Sequence, residues 1–562
     1  MIKIIVSYLF ILITTIGIGI SLNKWIKLTN YNILFTVLVG FFNIIVISTF
    51  YAVFNPLDLS FFLLILFFSM LNIVINKTVC KEIICKTKNS FSKFSKSSKA
   101  FFILIVCTSL IHSSSLPFIT DNESYYIQTI KWLNNYGLVK GLANFHIFLS
   151  QTSGWHILQS VFSFSFIDSY FNDINGFLII LVGFYCIDKW EFYKDHKNKN
   201  DLFISLLLIS FFFLYFFVPS PSPDLPIIVI TCIVIHLYLD FEQNKLNNQI
   251  NLICILILLL ILIKVTIAPI VLISFILILK SNNIKTRQFF VIASLLAAIS
   301  FVTKNIIISG YPFYPLSMGN NFIEVDWKLN NSIQNLYYKL TSMYGWQMDN
   351  WKEFNNLNST EKFWTWLNLP KLNGAFNKLI VLTLILFPIL YHKRKNTYLL
   401  YAFFLIQFIV FYSTSPQYRF FLPVFICMLL LIGVDFFDRK IKLIKSIIYL
   451  NLCFLLVVGI FGVTLKSITN NNIMKEKVAF EMSQIITPKP NTQFDKLEYS
   501  KHDLKNLKYY SPTNESLFFW QTSDGPLPCA NQKMIEYFSK NFNHIPQLRF
   551  NKIEDGFLSE IP

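Results

Sequence analysis

Charged residues are scarce in this chain of 562 residues. Asp, Glu, Lys and Arg make up 14% of it, whereas 54% is hydrophobic. Soluble globular proteins carry roughly 25% charged residues, so this composition excludes an ordinary soluble domain. Apolar runs close to 20 residues recur from end to end, the length that spans roughly 30 Å of hydrocarbon. The sequence therefore predicts an all-α polytopic membrane protein with about 12–14 transmembrane helices.

Cysteine spacings that bind zinc or build a disulfide framework are also missing. Cys80 and Cys85 lie in a basic loop without a partner His or Cys, and Cys529 stands alone in the C-terminal tail. The remaining cysteines lie inside apolar runs, where they act as small hydrophobic residues. These are Cys107, Cys186, Cys232, Cys254, Cys427 and Cys453.

The formal net charge of +17 comes without a concentrated basic patch. Basic residues are scattered between apolar runs, which disfavours nucleic-acid binding and indicates loops on the cytoplasmic side of a membrane. The most basic loop, 77–99, is placed in the cytoplasm by this rule. The first apolar run, 4–22, lacks a small-residue cleavage site, so we expect a retained span rather than a signal peptide.

Counting from the basic loop gives a complete layout with three large external segments, 120–172 (outside or in the outer interface), 309–375 and 467–562, and two external hairpin tips, 220–224 and 413–419. It divides the chain into N-terminal helices with the basic loop (1–99), a transmembrane core (100–466) and a small external tail (467–562). The predicted spans are near 4–22, 31–53, 57–76, 100–119, 173–190, 202–218, 226–240, 288–308, 376–391, 397–413, 420–435 and 446–466.

The apolar stretch 252–280 is open to two interpretations. One long span would place the basic residues 392–395 outside, against the charge rule. We therefore favour two short half-helices with a break between Lys264 and Pro269. Such half-helices have to sit inside the bundle, because each is too short to cross a bilayer.

In this layout, the unusual polar groups gather at the outer ends of the spans. Polar groups at membrane depth cost a few kcal/mol and usually face a cavity. The pattern therefore predicts an outward-facing site at the membrane boundary. The candidates are Asp121, Glu123, His146, His156, Asp224, Lys264, Lys304, the turn 309–315 with Tyr311 and Tyr314, and Arg419.

Each candidate has a structural and a functional interpretation. Asp121 either caps an amphipathic interfacial helix over 124–136, or it (or Glu123) acts as a general base or metal ligand. The two carboxylates are two residues apart and diverge on a helix, so at most one is the base. Lys264, Lys304 and Arg419 either snorkel or neutralise a phosphate.

The aromatic and histidine candidates also have both a structural and a functional interpretation. Tyr311 and Tyr314 either anchor the chain in the interface or stack on a sugar. His146 is either a packed residue or part of the site. His156 begins a polar stripe that serves helix packing or lines a cavity.

Several landmarks, taken in order, resemble an uncharacterised bacterial family of multi-pass membrane proteins, which in turn is similar to the GT-C class of polyprenyl-phosphate-sugar glycosyltransferases. The matching segments are 121–126 (DNESYY), 136–144 (YGLVKGLAN), 222–226 (SPDLP), 304–305 (KN) with 309–315 (SGYPFYP), 415–420 (SPQYRF), 526–529 (PLPC) and 555–557 (DGF).

This resemblance implies a GT-C-like bundle that transfers a sugar from a polyprenyl-phosphate carrier to a glycan or lipid acceptor, at the outer face of a bacterial inner membrane. An acidic residue of the first external loop is the base in such enzymes, which corresponds to Asp121 or Glu123 here. Basic residues or a divalent metal hold the lipid phosphate, so a metal is a possible cofactor.

Three alternatives stay open. An O-antigen or polysaccharide polymerase or ligase also works on lipid-linked sugars outside the cell. A transporter or lipid-linked-sugar flippase needs no catalysis, but transporters often show internal repeats, and none is visible in this sequence. A non-catalytic scaffold is the third alternative.

Overall fold

The structure, a computed structural model, describes residues 1–165, 173–244, 248–281, 283–348, 350–391, 397–465, 467, 476–494, 496–515 and 517–560. It is mostly helical, which confirms the predicted helical class. The basic residues 392–395 and part of the predicted external segment 120–172 lie outside this description. The helices up to the first external segment are α1 (Ile2–Gly19), α2 (Asn23–Ile26), α3 (Ile33–Tyr51), α4 (Leu59–Ile75), α5 (Lys77–Lys93) and α6 (Lys96–Ser113).

The central part of the chain continues the bundle. Its helices are α7 (Ile127–Tyr136), α8 (Leu142–Phe145), α9 (Gly154–Val161), α10 (Ile174–His196), α11 (Lys199–Ser205), α12 (Leu207–Leu214), α13 (Asp224–Asn244), α14 (Asn248–Ile263), α15 (Val271–Lys280), α16 (Ile284–Ser309), α17 (Asn331–Tyr344), α18 (Trp351–Asn356), α19 (Ser359–Leu367), α20 (Lys371–Leu390), α21 (Thr397–Thr414), α22 (Tyr418–Phe437) and α23 (Ile441–Phe461).

Eight membrane-crossing candidates are found among the described residues, fewer than the 12–14 predicted. They are Ile2–Ile26, Ile33–Tyr51, Lys199–Phe217, Asp224–Gln243, Ile284–Ser309, Lys371–Leu390, Tyr418–Phe437 and Ile441–Phe461. The other predicted spans also form helices, but these are shorter, carry more charge, or bend, as α4 and α5 do by 89° at their junction. Length and composition together make the chain a multi-pass membrane protein that associates with a lipid bilayer.

The predicted break in the apolar stretch 252–280 is confirmed. Helix α14 ends at Ile263, Lys264 is extended (φ −154°, ψ 107°), and a 3₁₀ turn over Val265–Ile270 leads into α15. The freed carbonyl of Ile263 accepts a hydrogen bond from the Ser153 hydroxyl at 2.6 Å. The Thr266 carbonyl accepts one from the Gln407 amide at 2.7 Å. The bundle itself therefore satisfies the broken backbone, as the interior of a membrane protein requires.

The segments predicted to be external meet at one end of the bundle. The Asn144 amide donates to the Trp327 carbonyl at 2.8 Å, joining 120–165 to 309–375. Arg549 of the tail forms an ion pair with Asp326 at 2.7 Å. These contacts build one continuous layer from three distant parts of the sequence.

The predicted cytoplasmic loops meet at a different set of contacts. Lys199 pairs with Asp435 at 2.7 Å, and Lys280 pairs with Glu242 at 2.6 Å. These ion pairs join turns that the charge rule places on the same side. Both pairs therefore join segments that the layout places on the cytoplasmic side.

The C-terminal tail departs from the all-α class. It contains α24 (Gln532–Phe542) and two short antiparallel pairs, β3 (Tyr499–Leu504) with β4 (Leu507–Pro512) and β5 (Ile545–Leu548) with β6 (Phe557–Glu560). A further strand of the tail, β2 (Glu476–Lys477), pairs antiparallel with β1 (Val463–Thr464) at the end of the transmembrane core. The last hairpin packs on the bundle, where the Phe557 amide donates to the Lys140 carbonyl at 2.8 Å.

Two glycines permit this approach of the tail. Gly556 (φ +97°) lies against the Lys140 carbonyl, and an added Cβ would come within 2.2 Å of that oxygen. Gly141 (φ +63°) faces the Phe557 carbonyl, which a Cβ would meet at 2.1 Å. Neither the backbone angle nor the space admits another residue easily. The landmarks 136–144 and 555–557 are therefore two halves of one contact.

Candidate functional site

Asp121 stands at the entry of the first predicted external segment, but it does not cap a helix with its side chain. A π-helical turn over Asn122–Tyr126 leads into α7, so the helix predicted over 124–136 begins with an irregular turn. The Asp121 carboxylate instead pairs with Arg419, with Nη1 and Oδ2 2.7 Å apart. The Tyr126 hydroxyl is 3.5 Å from the same oxygen. The side chain is thus held in an ionic site.

Four candidate residues from distant parts of the chain form this site, which we call the ionic cluster: Asp121, Asp224, Lys264 and Arg419. Lys264 Nζ lies 2.6 Å from Asp224 Oδ1, and Arg419 Nη1 lies 3.9 Å from Asp224 Oδ2. The Lys264 ammonium also sits 3.8 Å from the centre of the Phe420 ring, a cation–π contact. Arg419 therefore stands between the two carboxylates.

Three members of the ionic cluster, Asp224, Lys264 and Arg419, are positioned by their local chain. Asp224 begins α13 after a turn whose Ser222 carbonyl accepts a hydrogen bond from the Asn175 amide at 3.0 Å. Lys264 occupies the helix break. Arg419 lies in the first turn of α22, and its Nε donates to the Gln417 side-chain oxygen at 3.1 Å.

A narrow cleft lies beside the ionic cluster, with a cavity volume of about 10 Å³, room for about one water molecule. Asp224, Lys264 and Arg419 line it together with Thr266, Phe411 and Phe420. The side chains of Asp121, Lys264 and Arg419 are 22%, 22% and 23% exposed, whereas Asp224 is 5% exposed. Ligand sites usually measure roughly 300–1,000 Å³, so even a phosphate group needs this cleft to widen.

Lys304 and His156 lie one layer away from the ionic cluster. Lys304 Nζ donates to the Thr152 carbonyl at 2.5 Å and has no carboxylate partner in the described part of the chain. His156 is fully buried, with its ring 4.7 Å from that of Tyr126. Its Nε2 makes no hydrogen bond to a described residue. These two groups border the site without joining its ion pairs.

Glu123 points away from the ionic cluster and binds the tail. It is 1% exposed and accepts hydrogen bonds from the hydroxyls of Thr492 (2.6 Å) and Ser523 (2.8 Å) and from the Gln493 amide (3.1 Å). Burial raises the pKa of its carboxyl, an effect these donors partly oppose. The two carboxylates of the DNESYY landmark therefore diverge: Asp121 pairs with Arg419 in the ionic cluster, and Glu123 anchors the tail.

The remaining candidates are placed in supporting contacts. His146 Nε2 donates to the Trp520 carbonyl at 3.0 Å. The Tyr311 hydroxyl is tied to Leu329 O at 3.0 Å, and its ring lies 6.4 Å from that of Tyr314. Both tyrosine side chains are buried and shape the turn after α16.

An aromatic wall that the sequence did not reveal stands next to the site. Phe148 packs against Trp520 at 4.9 Å and Tyr337 at 5.4 Å between ring centres, and Tyr344 lies 5.7 Å from Trp520. Phe148 also stacks at 6.2 Å on Tyr125, which belongs to the DNESYY landmark. The rings come from three segments that meet only in the fold, and no periodicity in the sequence links them.

A resident metal has no ready-made cage in the described part of the chain. No three His, Cys, Asp or Glu side chains there come together as metal ligands. The two carboxylates of the ionic cluster are each paired with a cation.

Two buried histidines give tail docking a pH dependence. Burial lowers the pKa of His146 and of His544 to about 4, and each donates from Nε2 to a carbonyl across the tail contact, His544 to Asn144 at 2.7 Å. An undocked histidine takes up its proton near pH 6.5, but a docked one does so only near pH 4. Docking is therefore fully stabilised above pH 6.5 and weakens as the pH falls towards 4.

At pH 5.5 we expect the free energy of tail docking to be weaker by about 1.4 kcal/mol per histidine than it is well above pH 6.5. Hydrogen exchange of 518–523, corrected for its intrinsic pH dependence, measures this. The raised pKa of Glu123 acts in the opposite sense, because the docked carboxyl binds its proton more readily. The double variant His146→Asn/His544→Asn should show a flatter profile, and an unaltered profile would contradict this assignment.

The fold and the ionic cluster define a multi-pass membrane protein with a charged site at one end of its helical bundle. The chain belongs to the DUF8201 family, a domain of unknown function, whose profile matches residues 1–426. That range includes the whole ionic cluster and excludes the tail. No curated protein and no solved structure matches the chain.

Proposed function

We propose that the protein is a GT-C-like glycosyltransferase that moves a sugar from a polyprenyl-phosphate carrier to a glycan or lipid acceptor at the outer face of a bacterial inner membrane. The observation that carries this proposal is the ionic cluster, in which the Asp121 carboxylate pairs with Arg419, and Arg419 and Lys264 both line one cleft. A base and a phosphate-binding pair are the groups that such a transfer needs.

In the proposed reaction, the acceptor hydroxyl loses its proton to Asp121 as its oxygen attacks the anomeric carbon of the sugar. The bond between that carbon and the phosphate oxygen breaks, and the departing phosphate keeps the electron pair. Attack opposite the leaving group inverts the anomeric centre. Arg419 and Lys264 stabilise the negative charge that develops on the phosphate.

The surroundings of the ionic cluster suit the two halves of such a substrate. The cleft is lined by Phe411 and Phe420 as well as by charges, which suits a phosphate attached to an apolar carrier. The aromatic wall of Phe148, Tyr337, Tyr344 and Trp520 offers rings to a sugar, and Tyr344 is 38% exposed. Lys304, whose Nζ donates to the Thr152 carbonyl, is a further basic group bordering the site.

Reconstitution tests the proposal directly. We expect purified protein in proteoliposomes to consume a labelled polyprenyl-phosphate sugar and to form a new glycoside when an envelope extract supplies acceptors. A panel of sugars identifies the donor. Extension of a lipid-linked glycan by whole repeat units would instead favour the polymerase or ligase alternative.

Transport is the second candidate, and one observation favours it. The helix broken at Lys264 places a charged side chain at an interrupted span, a common feature of transporter sites. Movement of the labelled donor across the bilayer without a new glycosidic bond would support transport and overturn the glycosyltransferase proposal.

A further inference from the structure

Arg419 is shared by partners that the proposed reaction requires to be separate. Its Nη1 holds Asp121 at 2.7 Å and lies 3.9 Å from Asp224. The transfer needs the oxygen of Asp121 free for a proton and the guanidinium free for a phosphate. The ion pair prevents both at once, so the structure shows a self-neutralised state of the site.

We propose that Arg419 is a phosphate-operated latch: a phosphate group of the donor takes the guanidinium away from Asp121 and thereby releases the base. This inference rests on the proposed function and adds the order of events within it. Donor binding comes first, and only then is Asp121 able to accept the acceptor's proton. The site would not activate an acceptor, or water, in the absence of a donor phosphate.

The geometry singles out Arg419 among the three cations. Its Nε is held by the neutral side-chain oxygen of Gln417 at 3.1 Å, so the planar group stays in place while its outer nitrogens exchange partners. A guanidinium presents several N–H donors in one plane and matches two phosphate oxygens. It also borders the cleft and is partly exposed.

The other two cations are less suited to this exchange. Lys264 is held at 2.6 Å by Asp224, which is almost completely buried. Breaking that pair would leave a buried carboxylate without its closest cation, a costly state. Lys304 is buried and donates to the Thr152 carbonyl, away from the pairs. Arg419 is thus the cation that exchanges one accessible carboxylate for another anion.

The latch makes a prediction that ordinary phosphate binding does not. If Asp121 competes with phosphate for Arg419, Asp121→Asn should bind phosphate about 5- to 10-fold more tightly than the wild type, because a partly buried charged hydrogen bond no longer has to break. In an Arg419→Gln background the same substitution should produce no gain. This double-mutant cycle isolates the contact between the two side chains.

The experiment uses the full chain in nanodiscs at fixed ionic strength, with inorganic phosphate in one arm and undecaprenyl phosphate in the other. Calorimetry or microscale thermophoresis gives the dissociation constants. A gain in both arms shows that the phosphate group alone operates the latch, and a gain only with the lipid shows that the carrier is needed. Asp326→Asn, which removes the acid of the Asp326–Arg549 pair at the same end, is the matched control and should leave both affinities unchanged.

The outcomes separate the latch from the proposed function. Phosphate binding by the wild type without a gain in Asp121→Asn would overturn the latch and leave the transferase proposal standing. A gain that persists in Arg419→Gln would show simple charge repulsion and would also overturn it, as would no binding to any variant. A gain dependent on Arg419, combined with no glycosyl transfer on reconstitution, would support the latch and reject the transferase. If Arg419→Gln does not fold, Arg419→Lys replaces it and should reduce the gain, because lysine lacks the planar group.

Discussion

Replacing Asp121 by Asn is expected to lower the rate of sugar transfer by about 10²–10⁴-fold, the usual contribution of a general base. The amide keeps the size of the side chain but cannot take the acceptor's proton. Normal accumulation of the variant is expected, because the Asp121 side chain makes no capping hydrogen bond to the helix that follows. The measurement is the initial rate of glycoside formation in proteoliposomes, with the amount of protein determined in parallel.

Two comparisons make this result specific. Asp326→Asn removes an acid at the same end of the protein and should retain the wild-type rate. The latch also predicts that Asp121→Asn holds the donor phosphate more tightly, so the loss should be in turnover and not in donor binding. A variant that transfers sugar at the normal rate would rule out Asp121 as the base.

Truncating Glu123 to Ala is expected to weaken docking of the tail by about 3 kcal/mol, because three hydrogen bonds to its buried carboxyl are lost at about 1 kcal/mol each. The hydroxyls of Thr492 and Ser523 and the Gln493 amide would lose their shared acceptor. The population of undocked tail should then rise about 100-fold. Limited proteolysis within 488–530 under conditions of fast reclosing measures that population.

The loss of tail docking should depend on how many hydrogen bonds the residue at position 123 can still accept. Glu123→Gln keeps an acceptor oxygen and should cost about 1 kcal/mol. Glu536→Ala removes an exposed acid from α24 in the tail itself and should leave proteolysis unchanged. Unchanged proteolysis in Glu123→Ala would show that other contacts hold the tail.

Composition and apolar length were enough to predict a multi-pass helical protein and the position of most helices. The break at Lys264 was also predictable, because a charge followed by Pro269 in an apolar run conflicts with one continuous span. The number of spans was not, since length and hydropathy do not say which helices lie inside the bundle. The small sheets of the tail have strands of two to six residues, too short for an alternating pattern to indicate them.

The ionic cluster shows what a single sequence can and cannot tell about a site. Asp121, Asp224, Lys264 and Arg419 stood out because charges at the ends of apolar runs are expensive. Their pairing was not visible, because a residue's partner depends on the approach of distant helices. Glu123 could not be separated from Asp121 by sequence, since its partners Thr492 and Ser523 are ordinary tail residues.

The aromatic wall was missed for a related reason. Phe148 and Trp520 are unremarkable members of a chain in which aromatic residues make up 17%. What distinguishes them is that the docked tail brings one ring against the other. Burial and contact select these rings, and neither quantity can be read from composition.

The anchoring of the tail has a consequence for the order of synthesis. Glu123 and Ser523 are separated by 400 positions along the chain. At typical elongation rates of about 5–20 residues per second, the carboxylate of Glu123 waits roughly 20–80 s for its partner to be translated. During this interval the Glu123 carboxyl, which is buried in the finished protein, lacks its partners in the tail. Ribosomes that stop before the tail would therefore release chains whose helices are inserted but whose outer layer is open, a feature that membrane proteases can recognise.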